Sequence, residues 1–577
     1  MQDEAPRLIM KTGEASVVFK NRDLYGGNDP SKSAETRAAS FLLKPNTVYL
    51  LASPLLWYGV SVLVEHLPHS SLLLAVEGDA QLAKIAIEHF PRELKTTGLS
   101  LIHPADAGLV FKHIEERGIE SFRRVELISL NGAYRFHNKY YAQLKLQLEE
   151  EIQQFWQNKY TLMHMLPLWV KNIFFNLAER SLDTQKPAIS HCPPLTDRAV
   201  CVAGAGPCLE AQIPWIRKER HRLFLLVVDT AVEVFYHHGI EVDAVVVQEA
   251  QFYNLYDFFA QKNIRSEIWA DITGYPGVLR LACGGIRFFT GEFARSKLFS
   301  RMKNYGILPP PIPPLGSVGS TAVYLALRAS PGPVFVAGLD FAFFPGKTHA
   351  KGSPVHTRRL FDSCRLRPIE TLPSYPARGI FRVEHNSKLS DCGSIALTTL
   401  TLDRYARNFS RFFAGEKRLI RLTPRGLNLN IPETDLEEAG KILTEWEKAR
   451  FQESAGEDER ISAEGSTGGT GENSLSTLPE AAFTLHRVKA FLKNEQALLR
   501  SLFRDCRRYL EGNIPAGSKE LIDIIEKLNN FEYLFLHFPD TGYSLKKIDP
   551  TMVKRILVST GHFIGVLEKA LSRLSPP

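Results

Sequence analysis

Short apolar runs that end in a polar residue or glycine recur along the chain, separated by stretches with helical spacing. The first run, Thr47–Ala52 (TVYLLA), is rich in β-branched and large apolar residues. SPLLWYGVSVLVEHLP follows at helical spacing, and then Ser71–Val76 (SLLLAV), which ends in Glu77. Strand, helix, strand and acid make a βαβ pattern, and predict an α/β unit from about Val17 to Tyr140. In a nucleotide-binding unit such an acid reaches a ribose hydroxyl. Here the turn after the first strand is Ser53-Pro54-Leu55-Leu56-Trp57-Tyr58-Gly59. It lacks the glycines that let a phosphate approach the backbone, so this unit reads as structural.

Tyr141 to Thr184 is amphipathic and broken only near Pro167, which predicts connecting helices. From about Asp197 to Leu427 the apolar runs Ala199–Ala203, Leu223–Val228, Ala244–Val247 and Val334–Ala337 alternate with helical patterns. That predicts a mostly parallel sheet covered on both faces. Near the end, Leu485, Val488, Leu492, Leu499 and Leu502 recur at helical spacing. Leu521, Ile524, Ile525 and Leu528 do the same, as do Val553, Ile556, Leu557 and Ile564. Three or four helices are expected there. Glu453 to Thr477 is dominated by Gly, Ser, Thr and acids and reads as a linker. The expected plan is an α/β domain over 1–140, a helical connection over 141–190, a central domain over 191–450, an acidic linker over 451–478 and a helical domain over 479–577.

Composition changes this picture little. The 577 residues are 44% hydrophobic and 23% charged, an ordinary globular balance that excludes wholesale disorder, collagen and a disulfide-stapled mini-protein. The seven cysteines form no CxxC pair, which argues against a zinc ribbon or a thioredoxin-like redox pair and suits a reducing cytoplasm. No stretch approaches the ~18 apolar residues of a membrane span. No His, Cys and carboxylate cluster has metal-ligand spacing. The net charge of +7 hides a linker of −5 (six acids, one Arg), so the rest of the chain carries +12. Part of that excess is an Arg-rich stretch: Arg358, Arg359, Arg365 and Arg367, then Arg404, Arg407, Arg411, Lys417, Arg418 and Arg421. Such forks match phosphate and carboxylate or make a solvated helix face. With no RNA-binding sheet signature, nucleic acid is not an expected partner.

Candidate chemistry gathers at the ends of the central strands. The strand Ala199–Ala203 runs into Gly204-Ala205-Gly206-Pro207-Cys208-Leu209. The glycines permit a tight turn and a close ligand, Pro207 suits a helix start, and the amides there favour a phosphate. Leu209 stands where the dinucleotide fingerprint needs its third glycine, so this is not an NAD motif. Asp229 and Thr230 end the next strand, as acceptors for a ribose or base or as a helix cap. Gln248 and Glu249 end the third. The small residues Gly316, Ser317, Gly319, Ser320 and Thr321 lead into a helix and can wrap a polar group. Gly338 and Asp340 close another strand, and Gly346-Lys347-Thr348-His349-Ala350-Lys351-Gly352 follows. His349 titrates near neutrality and is a candidate general base with Asp340 beside it; His356 is a second candidate.

AGAGPCL, VVDTAVEVFYHHGIEVDAVVVQE, GSVGSTAVYLAL and VFVAGLDFAFFPGKTHAKG, in this order, together with the early YGGNDPSKSAE, resemble the motility accessory factor (Maf) flagellin glycosyltransferases over roughly residues 20 to 430. The fold class implied is α/β: two Rossmann-like domains, the central one sialyltransferase-like, plus a C-terminal helical domain. The resemblance implies transfer of a nonulosonic acid, such as pseudaminic or legionaminic acid, from its CMP-activated form to Ser or Thr of flagellin. It implies no tightly bound cofactor. Gly204 to Cys208 and the Gly316 to Thr321 loop, with Gly338, would then hold CMP. Asp229, Thr230 and Gln248 would orient it, and His349 and Asp340 would act in catalysis. The family usually has Ser at the position of Cys208 and an Asp where this chain has Gln248-Glu249. The same turn also resembles archaeal hydroxymethylpterin pyrophosphokinases, which need carboxylates at the third strand's end. A non-catalytic flagellin-binding assembly factor is the third alternative.

Overall fold

The computed structural model describes all residues except 1–4, 92, 94–98, 104–105, 183–195, 262, 292–295, 345–346, 369–380, 386–394, 423–425, 464–483, 516 and 575–577. Most of the Gly/Ser/Thr-rich linker, the connection beyond Leu182, and Gly346 therefore lie outside the described residues. The chain forms two compact units: residues 1–166 with 532–548, and residues 167–531 with 549–577.

The first unit begins with an antiparallel meander, β1 (Arg7–Lys11), β2 (Glu14–Phe19) and β3 (Arg22–Asp23). It continues through α1 (Pro30–Ala39), β4 (Thr47–Ala52), α2 (Val60–Glu65), β5 (Leu72–Val76), α3 (Ala80–Glu88), β6 (Leu101–Ile102), α4 (Ala107–Arg117) and β7 (Arg124–Ile128) to α5 (Asn138–Leu182). The parallel sheet has the order β6-β5-β4-β7. The two-residue period of a strand divides its core. Tyr49 and Leu51 of β4 pack on one face with Leu63 and Leu82, whereas Val48, Leu50 and Ala52 pack on the other with Ile114, Tyr141 and Leu148. The helical spacing read after β4 is realised only from Val60. Before it, Ser53, Leu55, Trp57 and Gly59 all take positive φ, a tight coil rather than a helix. The Lys159 ammonium ties residues 532–548 into this unit by donating to the Leu536 carbonyl at 2.8 Å, and burial pushes its pKa down to about 8.

No break occurs at Pro167: α5 is one helix that contains it. The missing proline amide falls where the two units divide, between Leu166 and Pro167.

The second unit contains β8 (Ala199–Ala203), α6 (Leu209–Glu219), β9 (Leu223–Val228), α7 (Val232–His237), β10 (Ala244–Val247), β11 (Glu267–Asp271), α8 (Pro276–Leu279), β12 (Ile286–Gly291), α9 (Lys297–Asn304), β13 (Pro311–Ile312), α10 (Val318–Ala329), β14 (Val334–Ala337) and α11 (Pro354–Asp362). It goes on through the hairpin β15 (Phe381–His385) and β16 (Ile395–Thr399), α12 (Leu400–Phe412), β17 (Leu419–Leu422), β18 (Glu433–Thr434), α13 (Leu436–Ala463), α14 (Leu485–Leu510), α15 (Lys519–Asn529) and α16 (Pro550–Arg573). Nine parallel strands run in the order β13-β12-β11-β10-β9-β8-β14-β17-β18. Every residue of β8, β10 and β14 is buried, as helices on both faces of a parallel sheet require. The start of the expected linker is helical, because α13 runs on to Ala463. The C-terminal helices belong to this same unit. Glu495 of α14, fully buried, takes the Arg301 guanidinium of α9 at 2.6 Å. The fold is therefore α/β, with two parallel-sheet layers and a C-terminal helical region.

Candidate functional site

The nine-stranded sheet reverses its strand order at β8, with β9 on one side and β14 on the other. In open parallel sheets a ligand crevice forms at the carboxyl ends of the strands beside such a reversal. The predicted turn Gly204 to Cys208 leaves β8 there, and Gly338 to Asp340 leaves β14.

The two turns interlock. A Cβ on Gly204 would stand 2.6 Å from the Gly338 carbonyl, and one on Gly206 would meet the same carbonyl at 2.6 Å and the Asp340 carboxylate as well. The Gly206 amide donates to Gly338 O at 2.8 Å and the Cys208 amide donates to Asp340 Oδ2 at 2.9 Å. The glycines thus serve the approach of a neighbouring chain segment, and the anion-seeking amide at the start of α6 is occupied by a carboxylate of the protein itself. Pro207 is buried in the turn and, with Cys208, precedes the first helical residue, Leu209. Asp340 is itself buried. Burial pushes its pKa up, and the Arg421 guanidinium and the Cys208 amide pull against that. Arg421 is buried too, and donates to Leu427 O at 2.6 Å.

Leu339 joins a third segment. Its side chain lies against the Cα positions of both Gly204 and Gly319. Gly319 opens α10, whose cap is Ser317: Ser317 Oγ accepts the Ser320 amide at 3.2 Å and lies 2.8 Å from Ser320 Oγ. Gly316, at φ +82°, precedes it against the Tyr405 ring. The Thr321 hydroxyl is buried with no hydrogen-bond partner.

The loop Lys347–Ser353 crosses the same edge. The Ala350 amide donates to Ala205 O at 2.9 Å, Lys347 Nζ pairs with Glu210 at 2.6 Å, and Ser353 Oγ reaches Thr230 O at 3.5 Å. His349 Nδ1 lies 3.0 Å from Thr348 Oγ1, which also accepts from Arg359 at 2.7 Å. Burial, then the positive charge of Arg359 and the neighbouring His356, push His349 down to about 4. Its ring is neutral at pH 7. His356 Nε2 lies 3.3 Å from the His349 carbonyl oxygen, so it supports the loop.

Asp229 is buried at the end of β9 and shares a cluster that sequence reasoning missed. Asn254 Nδ2 donates to Asp229 Oδ2 at 2.8 Å and to Asp257 Oδ2 at 3.1 Å, while Thr230 N donates to Asp229 Oδ1 at 2.8 Å. Burial and the Asp257 charge push Asp229 up to about 7. Burial pushes Asp257 up to about 6, against the pull of Asn254 and Arg358. Asn254 Oδ1 is buried and unpartnered. The Arg358 guanidinium of α11 lies over the rings of Tyr253 and Tyr256, at 5.5 and 5.4 Å. The one signal for this group was the aromatic run Gln251–Phe259, in which Asn254 and Asp257 are three residues apart. Gln248, half-buried, follows β10, and Glu249 accepts the Gln251 amide at 2.8 Å.

The Arg-rich stretch divides. Arg418 donates to Ser330 O and Leu327 O, Arg421 is the buried partner described above, and Arg407 pairs with Asp403 at 2.8 Å. Arg358 and Arg359 lie at the candidate site. A groove of about 870 Å³ between α6 and α13, lined by Trp215, His221, Arg222 and Lys441 among others, contains none of the predicted site residues. Among the described residues no three His, Cys, Asp or Glu side chains are grouped to hold a metal ion, and no helix is long and apolar enough to cross a membrane.

A parallel sheet covered by helices, with polar groups gathered at its reversal, defines a Rossmann-like fold. Comparisons with known proteins add to this. Residues 169–345 match the family described as MptE-like, 6-hydroxymethylpterin diphosphokinase MptE-like. A protein of Treponema pallidum (strain Nichols), described only as uncharacterized, is 29% identical over 580 residues, covering 99% of this chain and 96% of that protein. The Maf glycosyltransferase of Magnetospirillum magneticum AMB-1 superposes with a TM-score of 0.55 at 13% identity, covering 100% of this chain and 93% of that one. At that identity the likeness is one of fold.

Proposed function

We propose that the protein is a glycosyltransferase that moves a nonulosonic acid from its CMP-activated form to Ser or Thr hydroxyls of flagellin. The observation that carries this reading is the convergence of the β8 turn, the β14 turn, the α10 start and the His349 loop on one sheet edge. The whole-chain fold likeness to a Maf glycosyltransferase supports it.

In this reading the donor lies along the strand ends. Asp229 and Asn254 take the ribose or base, and Tyr253, Tyr256 and Arg358 offer a flat cationic shelf beside it. Ser317, Ser320 and Thr321, with Gly316 and Gly319, face the phosphate end. Asp340 acts as a positioning residue through the Cys208 amide. The acceptor oxygen attacks C2 of the sugar as the bond from C2 to the CMP phosphate oxygen breaks, and CMP leaves with that electron pair. The acceptor proton passes to the neutral imidazole of His349. Arg359 and Arg358 offset the charge on the departing phosphate. No tightly bound cofactor enters the scheme. A cytoplasmic location belongs to the same proposal and rests on the free thiols Cys201, Cys208, Cys283, Cys364 and Cys506.

A pterin diphosphokinase is the second reading, favoured by the family match over 169–345 and by the acidic pair Asp229 and Asp257. Incubation with flagellin and a CMP-nonulosonate, and separately with hydroxymethylpterin and ATP, followed by mass measurement, tests both. Sugar added to flagellin supports the first reading and diphosphorylated pterin the second. Complex formation alone contradicts both, leaving an assembly factor.

A further inference from the structure

Two elements that build the candidate site also carry an outward set of side chains. The short helical turn Phe252–Phe258 sends Asn254 inward to Asp229, at 2.8 Å. Its sequence neighbours face solvent: Phe252 is 48% exposed, Tyr253 45% and Phe259, just beyond the turn, 58%. α11 divides in the same way. Arg359 donates to Thr348 beside His349, whereas Leu360 and Phe361 are 62% and 74% exposed. The rings form one connected strip. Between centroids, Phe252 lies 4.1 Å from Tyr253, Tyr253 6.2 Å from Tyr256, Tyr256 5.2 Å from Phe259, and Phe259 6.3 Å from Phe361. Scattered apolar residues are normal on a surface, but a connected exposed strip marks a place where another molecule docks.

The chemistry of the strip limits its occupant. Phe252, Phe259, Leu360 and Phe361 have no polar atom in their side chains, so they cannot hold the hydroxyls of a glycan or the edge of a nucleobase. An anionic membrane is recognised by clusters of ~4–8 basic side chains. The charged residues of the turn and of α11 are Arg358, Arg359, Asp257 and Asp362, two of each sign. A near-neutral aromatic strip with Arg358 over two of its rings has the composition of a protein interface, where aromatic residues and Arg supply most of the binding energy. The strip is also continuous with the shelf proposed for the donor, because Tyr253, Tyr256 and Arg358 belong to both. A polypeptide lying on it reaches the place where the sugar would be transferred.

We infer that Phe252, Phe259, Leu360 and Phe361 dock the polypeptide acceptor, taking the apolar side chains that flank the hydroxyl to be modified. The inference rests on the glycosyltransferase reading and names what selects the protein substrate. An acceptor Ser or Thr with large aliphatic or aromatic neighbours is preferred over one in a charged or small-residue segment.

Calorimetric titration of the full chain with monomeric flagellin, and separately with CMP, tests it. Phe361→Ser and Phe259→Ser should each weaken flagellin binding about tenfold or more, as loss of an aromatic interface anchor does, and leave CMP binding as in the parent. Both positions are exposed, so the melting temperatures should match the parent's. Phe361→Leu keeps an apolar side chain and should bind flagellin more tightly than Phe361→Ser. Equal flagellin affinity in the parent and both Ser variants overturns the inference, and so does a parent that binds no flagellin. Sedimentation of the parent with phosphatidylcholine–phosphatidylserine vesicles, lost in both Ser variants, assigns the strip to a membrane and also overturns it. Failure of the glycosyltransferase reading shows separately. The parent then binds flagellin through the strip but transfers no sugar from a CMP-nonulosonate, which keeps the docking surface and removes its role in selecting an acceptor.

Discussion

The Asp340 carboxylate accepts the Cys208 amide at 2.9 Å, so the anion position at the start of α6 is filled from within the chain. Asp340 is attracted at the same time by the buried Arg421, which makes it a clamp between the β8 and β14 turns. Among the described residues, replacing it with Ala leaves Arg421 with Glu433, at 3.6 Å, as its paired carboxylate. Asp340→Ala should lose about 3 kcal/mol of stability, and Asp340→Asn less, since an acceptor for the amide remains. Urea denaturation followed by circular dichroism measures this; equal midpoints for Ala variant and parent would remove the clamp.

Gly206 has no room for a side chain, because the Asp340 carboxylate and the Gly338 carbonyl occupy the space. Gly206→Ala should push Asp340 away from Cys208 and destabilise the second unit by about 2 kcal/mol, in the range of overpacked cores. Gly239→Ala offers a control: that glycine has positive φ but nothing within 4 Å, so only the smaller backbone strain applies. Thermal melts of the two variants should differ in that order.

Asp229 and Asp257 bind protons more readily folded than unfolded, since a free carboxyl titrates near ~4. The stability they lend is complete below that pH and is lost as pH rises through about 6 and about 7. Asp229→Asn mimics the protonated form and should escape the loss. Its melting temperature relative to the parent should rise between pH 5 and pH 8; a constant difference would show that Asp229 titrates as an ordinary carboxylate.

His349, held down to about 4, stays neutral across pH 5.5 to 8.5. If it takes the acceptor proton, the transfer rate should show no inflection from an ordinary histidine near ~6.5. Any inflection near about 7 should vanish in Asp229→Asn, while one near about 6 from Asp257 should remain. His349→Ala should abolish transfer with an unchanged circular dichroism spectrum; undiminished modification of flagellin would exclude it as the base.

The central strands were legible where an apolar run is short and bounded by turn residues, as at Ala199–Ala203 and Val334–Ala337. Glu267–Asp271 was hidden because its strand begins and ends in an acid: Glu267 accepts from Trp269 on the same strand and from Arg287 of β12, and Asp271 accepts the Thr273 amide in the turn that follows. The break expected at Pro167 failed because proline removes one amide but leaves the rest of a 45-residue helix intact. At the site, the turn and loop residues were readable as motifs. Asp257 and Asn254 were not, since what defines them is proximity to Asp229 across the strand ends. Nor could the sequence show that Asp340 would already occupy the amide it left open for a phosphate.

The central claim is that the edge between β8 and β14 holds the donor nucleotide. A crystal soaked with CMP tests it most directly. The account predicts density for cytidine beside Asp229 and Asn254, with the phosphate toward Ser317 and Thr321. CMP bound elsewhere on the chain, or no density at saturating CMP, would contradict it.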